Sequence, residues 1–195
     1  MSQRILVLGI GNPLMTDEGA GVRVAESLME RYDFPEGVDV VDAGTMGLGM
    51  LHLMRDRDLV IVADAVDNTG HPAGTVVILT PEELAPSQVM HSLHDMRLVN
   101  VLEAAALAGY EPDAICVGIQ VESMEQWVTE LTPAVEGALP GAIAAVLDIL
   151  AGRGIHPAPR RAGTPDSDVI RSIRERTAQP GGPLPVVGEE EAADA

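Results

Sequence analysis

The 195-residue sequence contains no lysine, so all 12 of its basic side chains are arginine. Without lysine, the chain cannot carry a Schiff-base lysine, a Ser–Lys dyad or the lysine of a phosphate-binding P-loop. Its 30 acidic residues leave a formal net charge of −18. Non-specific binding to nucleic acid depends on cationic side chains that neutralise phosphates. We therefore expect no nucleic-acid partner.

Cysteine is almost absent as well. The single residue, Cys116, cannot form an internal disulfide, and its apolar surroundings ("AICVGI") predict a buried, unreactive thiol. No basic segment followed by an apolar run opens the sequence, and its uncharged stretches, such as 137–147, are too short to span a bilayer. These features predict a cytoplasmic protein that does not insert into a membrane.

Short apolar runs alternate with helical patterns, which is typical of a sheet covered by helices on both faces. Strands are predicted over 4–11, 38–42, 59–66, 74–80 and 114–120, and helices over 18–32, 48–55, 95–108 and 133–150. The link between the third and fourth strands is too short for a parallel crossover, so the fourth strand should run antiparallel. The predicted fold is a single three-layer α/β domain with a mixed, mostly parallel five-stranded sheet.

The composition changes after Gly152, where proline, glycine and charge become frequent and apolar residues too few to build a core. We therefore predict an α/β domain over 1–152 and a Pro/Gly-rich acidic tail, largely disordered, over 153–195.

A glycine-rich turn, "GIGNPLMTDEGAGV" (9–22), follows the first predicted strand. It resembles a dinucleotide-binding loop, but Leu14 occupies the place of the third glycine of that fingerprint. Asp17 and Glu18 inside the turn would also repel a pyrophosphate. Taken alone, Asp17 is most simply explained as a helix N-cap.

Four polar side chains fall at corresponding places in the predicted sheet. Glu18 follows the first strand, Asp42 closes the second, Asp64 lies near the end of the third, and His94 precedes the third helix. Ligands of open α/β sheets bind at the carboxyl ends of the strands. Carboxylates that converge there would suit a divalent ion such as Ni²⁺ or Zn²⁺ together with the histidine, or general acid–base chemistry with a water. Both uses remain open at this point.

Several segments resemble, in the same order, the successive blocks of the nickel–iron hydrogenase maturation endopeptidases. They are "ILVLGIGNPLMTDEGAGV", "VDVVDAGTMGLGML", "LVIVADAV", "AGTVVIL", "HSLHDMRLVNVL" and "VGIQVESMEQWVTELTPAVEGAL", and together they extend over about 4–150. The order and spacing of these blocks, above all G-N-x-L-x-x-D-E followed by D-A-G-T, make the resemblance specific.

The resemblance implies a protease that removes the C-terminal extension of the hydrogenase large-subunit precursor after nickel insertion. Glu18, Asp64 and His94 then correspond to the metal-binding residues, with His91 as a rival for the histidine. Asp42 corresponds to a residue of substrate recognition or cleavage, so the implied catalytic carboxylates are Asp42, Glu18 and Asp64. The partner is the precursor, which supplies the nickel, although another divalent metal could bind the protein in isolation. Whether the mechanism is of the aspartic type or metal-assisted stays open.

A non-catalytic metal-binding or chaperone-like module that docks on the precursor is the alternative. The presence of all three ligand candidates together with Asp42 favours the enzyme. A serine triad is not expected, because no G-x-S-x-G elbow surrounds Ser92 or Ser123. Trp127 is expected to be exposed, and we consider it a candidate contact for the substrate.

Overall fold

The structure, a computed structural model, describes residues 3–84 and 98–160. Its strands are β1 (Ile5–Ile10), β2 (Tyr32–Asp33), β3 (Val38–Gly44), β4 (Leu59–Val66), β5 (Val76–Leu79), β6 (Asp113–Gln120) and β7 (Ala158–Pro159). Its α-helices are α1 (Ala20–Arg31), α2 (Leu51–Met54), α3 (Pro81–Leu84), α4 (Leu98–Leu107) and α5 (Pro133–Gly152). Two 3₁₀ turns, Thr16–Gly19 and Gly47–Met50, lead into α1 and α2. The start of the third predicted helix, 95–97, lies outside the described residues.

The central sheet has five strands in the order β3-β1-β4-β6-β5. Its parallel pairs are β1 with β3, β1 with β4, and β4 with β6, whereas β5 runs antiparallel to β6. The mixed sheet and the antiparallel fourth strand are therefore confirmed.

Two layers of helices cover the sheet. One face, with Ile5 and Val7, packs against α1 and α5, and the other, with Leu6 and Leu8, packs against α2 and α4. The chain runs from β1 outward to β3 and then returns past β1 to β4, so the strand order reverses between β1 and β4. Open α/β sheets form a ligand-binding crevice at the carboxyl ends of the strands at such a point. This three-layer α/β arrangement is the predicted one.

The start of α1 lies directly against the sheet because two glycines face each other. A Cβ atom on Gly9 would overlap the carbonyl oxygen of Gly21, and one on Gly21 would overlap the carbonyl oxygens of Ile10 and Ala63. Only residues without side chains permit this approach. It fixes the 3₁₀ turn before α1 at the carboxyl ends of β1 and β4.

The ordered structure continues past the predicted boundary at residue 152. Gly152 is the last residue of α5, and Gly154 takes the left-handed conformation (φ +75°) that ends the helix. β7 then pairs antiparallel with β2, and Arg160 Nε donates to Asp33 Oδ1 at 3.0 Å. The first eight residues of the predicted tail, 153–160, are thus part of the fold, while 161–195 lie outside the described residues.

Among the described helices, α5 is long and apolar enough to span a membrane by length and composition. Its buried side chains, including Val135, Ala142 and Val146, belong to the core beneath one face of the sheet. Packing in this core accounts for the apolar residues at these buried positions.

Candidate active site

Glu18 lies in the 3₁₀ turn that follows β1. Its side chain is buried, with 5% of the residue exposed. Gly11 (φ +131°) contacts the backbone of Glu18 so closely that any side chain at Gly11 would collide with it. The turn contacts β4. A buried carboxylate therefore lies in a turn that follows β1 and contacts β4.

Asp64 lies near the carboxyl end of β4 and is also 5% exposed. Its Oδ1 accepts a hydrogen bond from the backbone N–H of Ala65 at 2.8 Å, and its register partner in β6 is Gly118. The preceding residue, Ala63, is the one whose carbonyl meets Gly21 at the start of α1. The strand that carries Asp64 and the turn that carries Glu18 are in contact.

Asp42 is exposed and stands apart from this pair of carboxylates. It does not close the edge strand β3, as predicted, but lies two residues before its end at Gly44, whose backbone N–H donates to Asp42 Oδ1 at 3.0 Å. Strand β1 separates β3 from β4, so the backbones that carry Asp42 and Asp64 are about 10 Å apart. Asp42 therefore lies at the outer side of the crevice.

His94 and its rival His91 lie outside the described residues. Within 3–84 and 98–160, no group of three histidine, cysteine, aspartate or glutamate side chains is arranged to hold a metal ion. The metal site of Glu18, Asp64 and His94 stays a prediction.

Asp17 has a different role from the predicted one. Neither the 3₁₀ turn nor α1 has a side-chain cap, so the N-cap assignment is wrong. Asp17 is fully buried and accepts hydrogen bonds from the backbone N–H groups of Glu122, Ser123 and Thr132 and from the Thr132 hydroxyl. These partners are more than 100 residues away in the sequence, where no local pattern could indicate them.

Two exposed side chains, Leu14 in the loop between β1 and the 3₁₀ turn and Trp127 beside it, form an apolar rim. Leu14 and Trp127 are 49% and 81% exposed, and with Met15, Asn12 and Gln126 they line a cavity of about 220 Å³. The exposure predicted for Trp127 is confirmed, and its contact with substrate stays a prediction.

The sequence analysis missed Gln120, a buried polar residue at the end of β6. Its Oε1 accepts from the backbone N–H of Thr69 at 3.0 Å and from the Thr69 hydroxyl, and its Nε2 donates to Asp67 Oδ1 at 3.3 Å. These bonds fix the loop that follows Asp64 and β4. A glutamine that ends an otherwise apolar strand was the available signal.

Cys116 is buried in β6, as predicted. Burial, and to a lesser degree the negative charge of Asp64, raises the pKa of its thiol well above the usual range. A thiol that keeps its proton is a poor nucleophile. This agrees with a structural role for the cysteine.

Comparison with known proteins identifies the family. The model of the hydrogenase maturation protease family (HycI) matches residues 22–149. The hydrogenase 2 maturation protease of Escherichia coli K12 is 40% identical over 162 residues, which cover 82% of this chain and 98% of the relative. The hydrogenase expression/formation protein HoxM of Azotobacter vinelandii is 40% identical over 80% of this chain and 76% of its own length.

The fold is shared with a solved member of the family. The hydrogenase maturating endopeptidase HybD from E. coli superimposes with a TM-score of 0.75 at 41% identity, over 81% of this chain and 98% of that structure. The family match, the curated relatives and the shared fold together show that the chain belongs to the hydrogenase maturation proteases.

Proposed function

We propose that this protease removes a C-terminal extension from the large-subunit precursor of a nickel–iron hydrogenase after nickel has been inserted. The observation that best supports the proposal is the pair of buried carboxylates, Glu18 and Asp64, on contacting elements at the carboxyl edge of the sheet. Negative charges that approach each other in a poorly hydrated site repel each other strongly. A cation that docks beside them would relieve this repulsion.

The nickel is proposed to arrive as part of the substrate. Carboxylate oxygens and an imidazole are suitable ligands for a borderline divalent ion. Glu18 and Asp64, together with His94, would fill the open positions of a nickel already bound by cysteines of the precursor. Nickel-loaded precursor would then bind more tightly than empty precursor, so that metal insertion becomes the condition for cleavage.

Hydrolysis of the peptide bond requires a water to attack the carbonyl carbon. One proton of this water passes to a carboxylate, and the amide nitrogen takes a proton as the C–N bond breaks. Asp42, Glu18 and Asp64 are the carboxylates proposed for this transfer, and a cation near the carbonyl oxygen would stabilise the negative charge that develops there. Since Asp42 is exposed at the outer side of the crevice, we assign it to the peptide chain rather than to the nickel.

The apolar rim gives the extended substrate a surface beside the carboxylates. Leu14 and Trp127 leave large apolar side chains exposed at the mouth of a cavity. Burial of such side chains by a partner is favourable, by about 25 cal/mol for each Å² removed from water. We therefore propose that the precursor segment next to the cleaved bond packs on this rim.

The experiment mixes the purified protein with nickel-loaded and nickel-free precursor and follows the loss of the extension by mass spectrometry. The variants are Glu18→Gln, Asp64→Asn, His94→Ala and Asp42→Asn. The matched control is Asp113→Asn, which neutralises an exposed acid at the amino end of β6.

Cleavage that requires nickel and is lost in the site variants, but not in Asp113→Asn, would support the proposal. Separate kcat and KM values for each variant would distinguish a proton-transfer role from nickel recognition. Precursor that binds but remains intact with the wild-type protein would refute the proposal and indicate a docking module instead.

A further inference from the structure

We propose that Asp17 is a positioning residue of the protease, which holds the segment 122–132 against the 3₁₀ turn and thereby fixes both Glu18 and the rim residue Trp127. The inference rests on the proposed function for its catalytic consequence. Its structural part, the attachment of two distant segments by one carboxylate, can be tested independently.

The hydrogen bonds of Asp17 all lead to one segment. Oδ1 accepts from the backbone N–H of Thr132 at 2.7 Å. Oδ2 accepts from the N–H groups of Glu122 and Ser123, both at 2.9 Å, and from the Thr132 hydroxyl at 3.0 Å. A fully buried carboxylate is costly unless such donors surround it. Asp17 is thus satisfied only while the segment 122–132 lies against the turn.

Further hydrogen bonds join the same two segments. Thr16 donates through its backbone N–H to the carbonyl of Val128 at 2.7 Å and through its hydroxyl to the carbonyl of Glu125 at 2.9 Å. The N–H of Trp127 donates to the carbonyl of Leu14 at 2.7 Å. The rim is therefore built from both segments, and it exists only while they are attached.

The attachment also holds two unfavourable backbone conformations. Thr16 (φ +46°) and Trp127 (φ +67°) occupy the left-handed region, which β-branched and bulky residues avoid. Such conformations persist only where surrounding contacts determine them, and they are frequent at functional sites. If Asp17 lost its bonds, we expect both residues to relax. Glu18, in the same 3₁₀ turn as Thr16, would then change its direction.

The chemistry of the contact requires a carboxylate. Oδ2 accepts from three donor groups, and Oδ1 accepts from the N–H of Thr132. An asparagine side chain has only one acceptor oxygen, so in either orientation its NH₂ group faces a donor and hydrogen bonds are lost. Asp17→Asn therefore keeps the shape of the side chain but breaks the contact. Thr132→Val replaces the hydroxyl with a methyl group, which removes the bond to Asp17 and also the cap that this hydroxyl gives α5 by accepting from the N–H of Val135 at 3.5 Å. Thr132→Ser retains both bonds.

The chain provides its own probe, because Trp127 is the only tryptophan. We would measure its fluorescence anisotropy in the wild type, Asp17→Asn, Thr132→Val and Thr132→Ser, with kcat and KM for nickel-loaded precursor. The control for a general loss of stability is Val146→Ala, a core truncation in α5.

Asp17→Asn should lower the anisotropy of Trp127 and reduce kcat by about 100-fold, the effect of a displacement of about 1 Å. Thr132→Val should show a smaller loss of both, and Thr132→Ser should restore both. Val146→Ala should lower the melting temperature without changing either readout. If Asp17→Asn fails to fold, the comparison of Thr132→Val with Thr132→Ser carries the same test.

An anisotropy of Trp127 that stays at the wild-type value in the folded Asp17→Asn variant would overturn the inference. Losses of anisotropy and kcat in Val146→Ala equal to those in Asp17→Asn would overturn it as well. Neither result would affect the proposed function. Reduced anisotropy with wild-type kcat would overturn the positioning role. If the wild-type protein leaves the precursor intact, the proposed function and the catalytic consequence drawn from it are both wrong. The anisotropy of Trp127 would still show whether Asp17 attaches the segment 122–132 to the 3₁₀ turn.

Discussion

Replacement of Gly21 by alanine should displace the active-site turn with little other change. A Cβ atom there would lie 2.8 Å from the carbonyl carbon of Ala63, and closer still to the carbonyl oxygens of Ala63 and Ile10. Carbon atoms in contact are normally about 3.5–4.0 Å apart, so the start of α1 must move away from β4 by about 1 Å. These three nearest atoms all belong to the backbone, so no flexible side chain among them can give way.

The effect of Gly21→Ala on stability follows from two opposed contributions. Alanine favours a helix over glycine by about 1 kcal/mol. Overpacking against the sheet costs about 1–3 kcal/mol. The free energy of unfolding should therefore fall by about 0–2 kcal/mol, which a domain of this size usually tolerates. Urea denaturation would measure the change.

The effect on activity should be much larger. The displaced residues carry Glu18, and an error of about 1 Å at a catalytic group can reduce the rate about 100-fold. Precursor cleavage followed by mass spectrometry gives this rate. Gly137→Ala is the matched control, because Gly137 also lies in a helix but a Cβ atom there would meet none of the described residues within 4 Å. Equal activity and stability in both variants would refute the positioning role of the close approach.

Other substitutions test separate parts of the structure. Trp127→Ala should raise KM for the precursor by about 10–30-fold, as expected of an interface tryptophan. The values of kcat and of the melting temperature should change little, because Trp127 is exposed. An unchanged KM would exclude Trp127 as a substrate contact. Since burial raises the pKa of Cys116, the unfolded chain loses this proton first as the pH rises above about 8.5. Wild-type stability should therefore fall more steeply with pH than that of Cys116→Ala, by up to about 1.4 kcal/mol per pH unit, and parallel urea curves from about pH 7.5 to 10 would contradict this. Gln120→Leu should speed hydrogen exchange at the Thr69 amide, which loses its acceptor, and an unchanged exchange rate would refute the role assigned to Gln120.

The strands were predictable because their signals are local. β1 and β4 are buried on both faces, which requires the continuous apolar runs visible in the sequence. The direction of β5 followed from the length of the link before it. Asp64 was conspicuous as a polar residue near the end of an apolar strand, and Glu18 as an acid in the glycine-rich turn that follows another such strand. Their role in binding a metal stays a prediction.

The features that sequence analysis missed depend on distant contacts. The pairing of β7 with β2 joins Ala158–Pro159 to Tyr32–Asp33, and proline is a poor indicator of a strand. Gln120 resembles a surface residue until the loop at Thr69 covers it. In each case the partner is more than 50 residues away, so the composition near the residue carried no information about the contact.

The two neighbouring acids of the glycine-rich turn show the same limit most clearly. Asp17 and Glu18 are alike in charge, and no local pattern distinguishes them. A 3₁₀ helix has about three residues per turn, so consecutive side chains point about 120° apart. Asp17 therefore meets the backbone of residues 122–132, while Glu18 points elsewhere from a turn that contacts β4. Each carboxylate takes its role from the element it faces: the first joins two segments of the chain, and the second is the one we assign to the substrate.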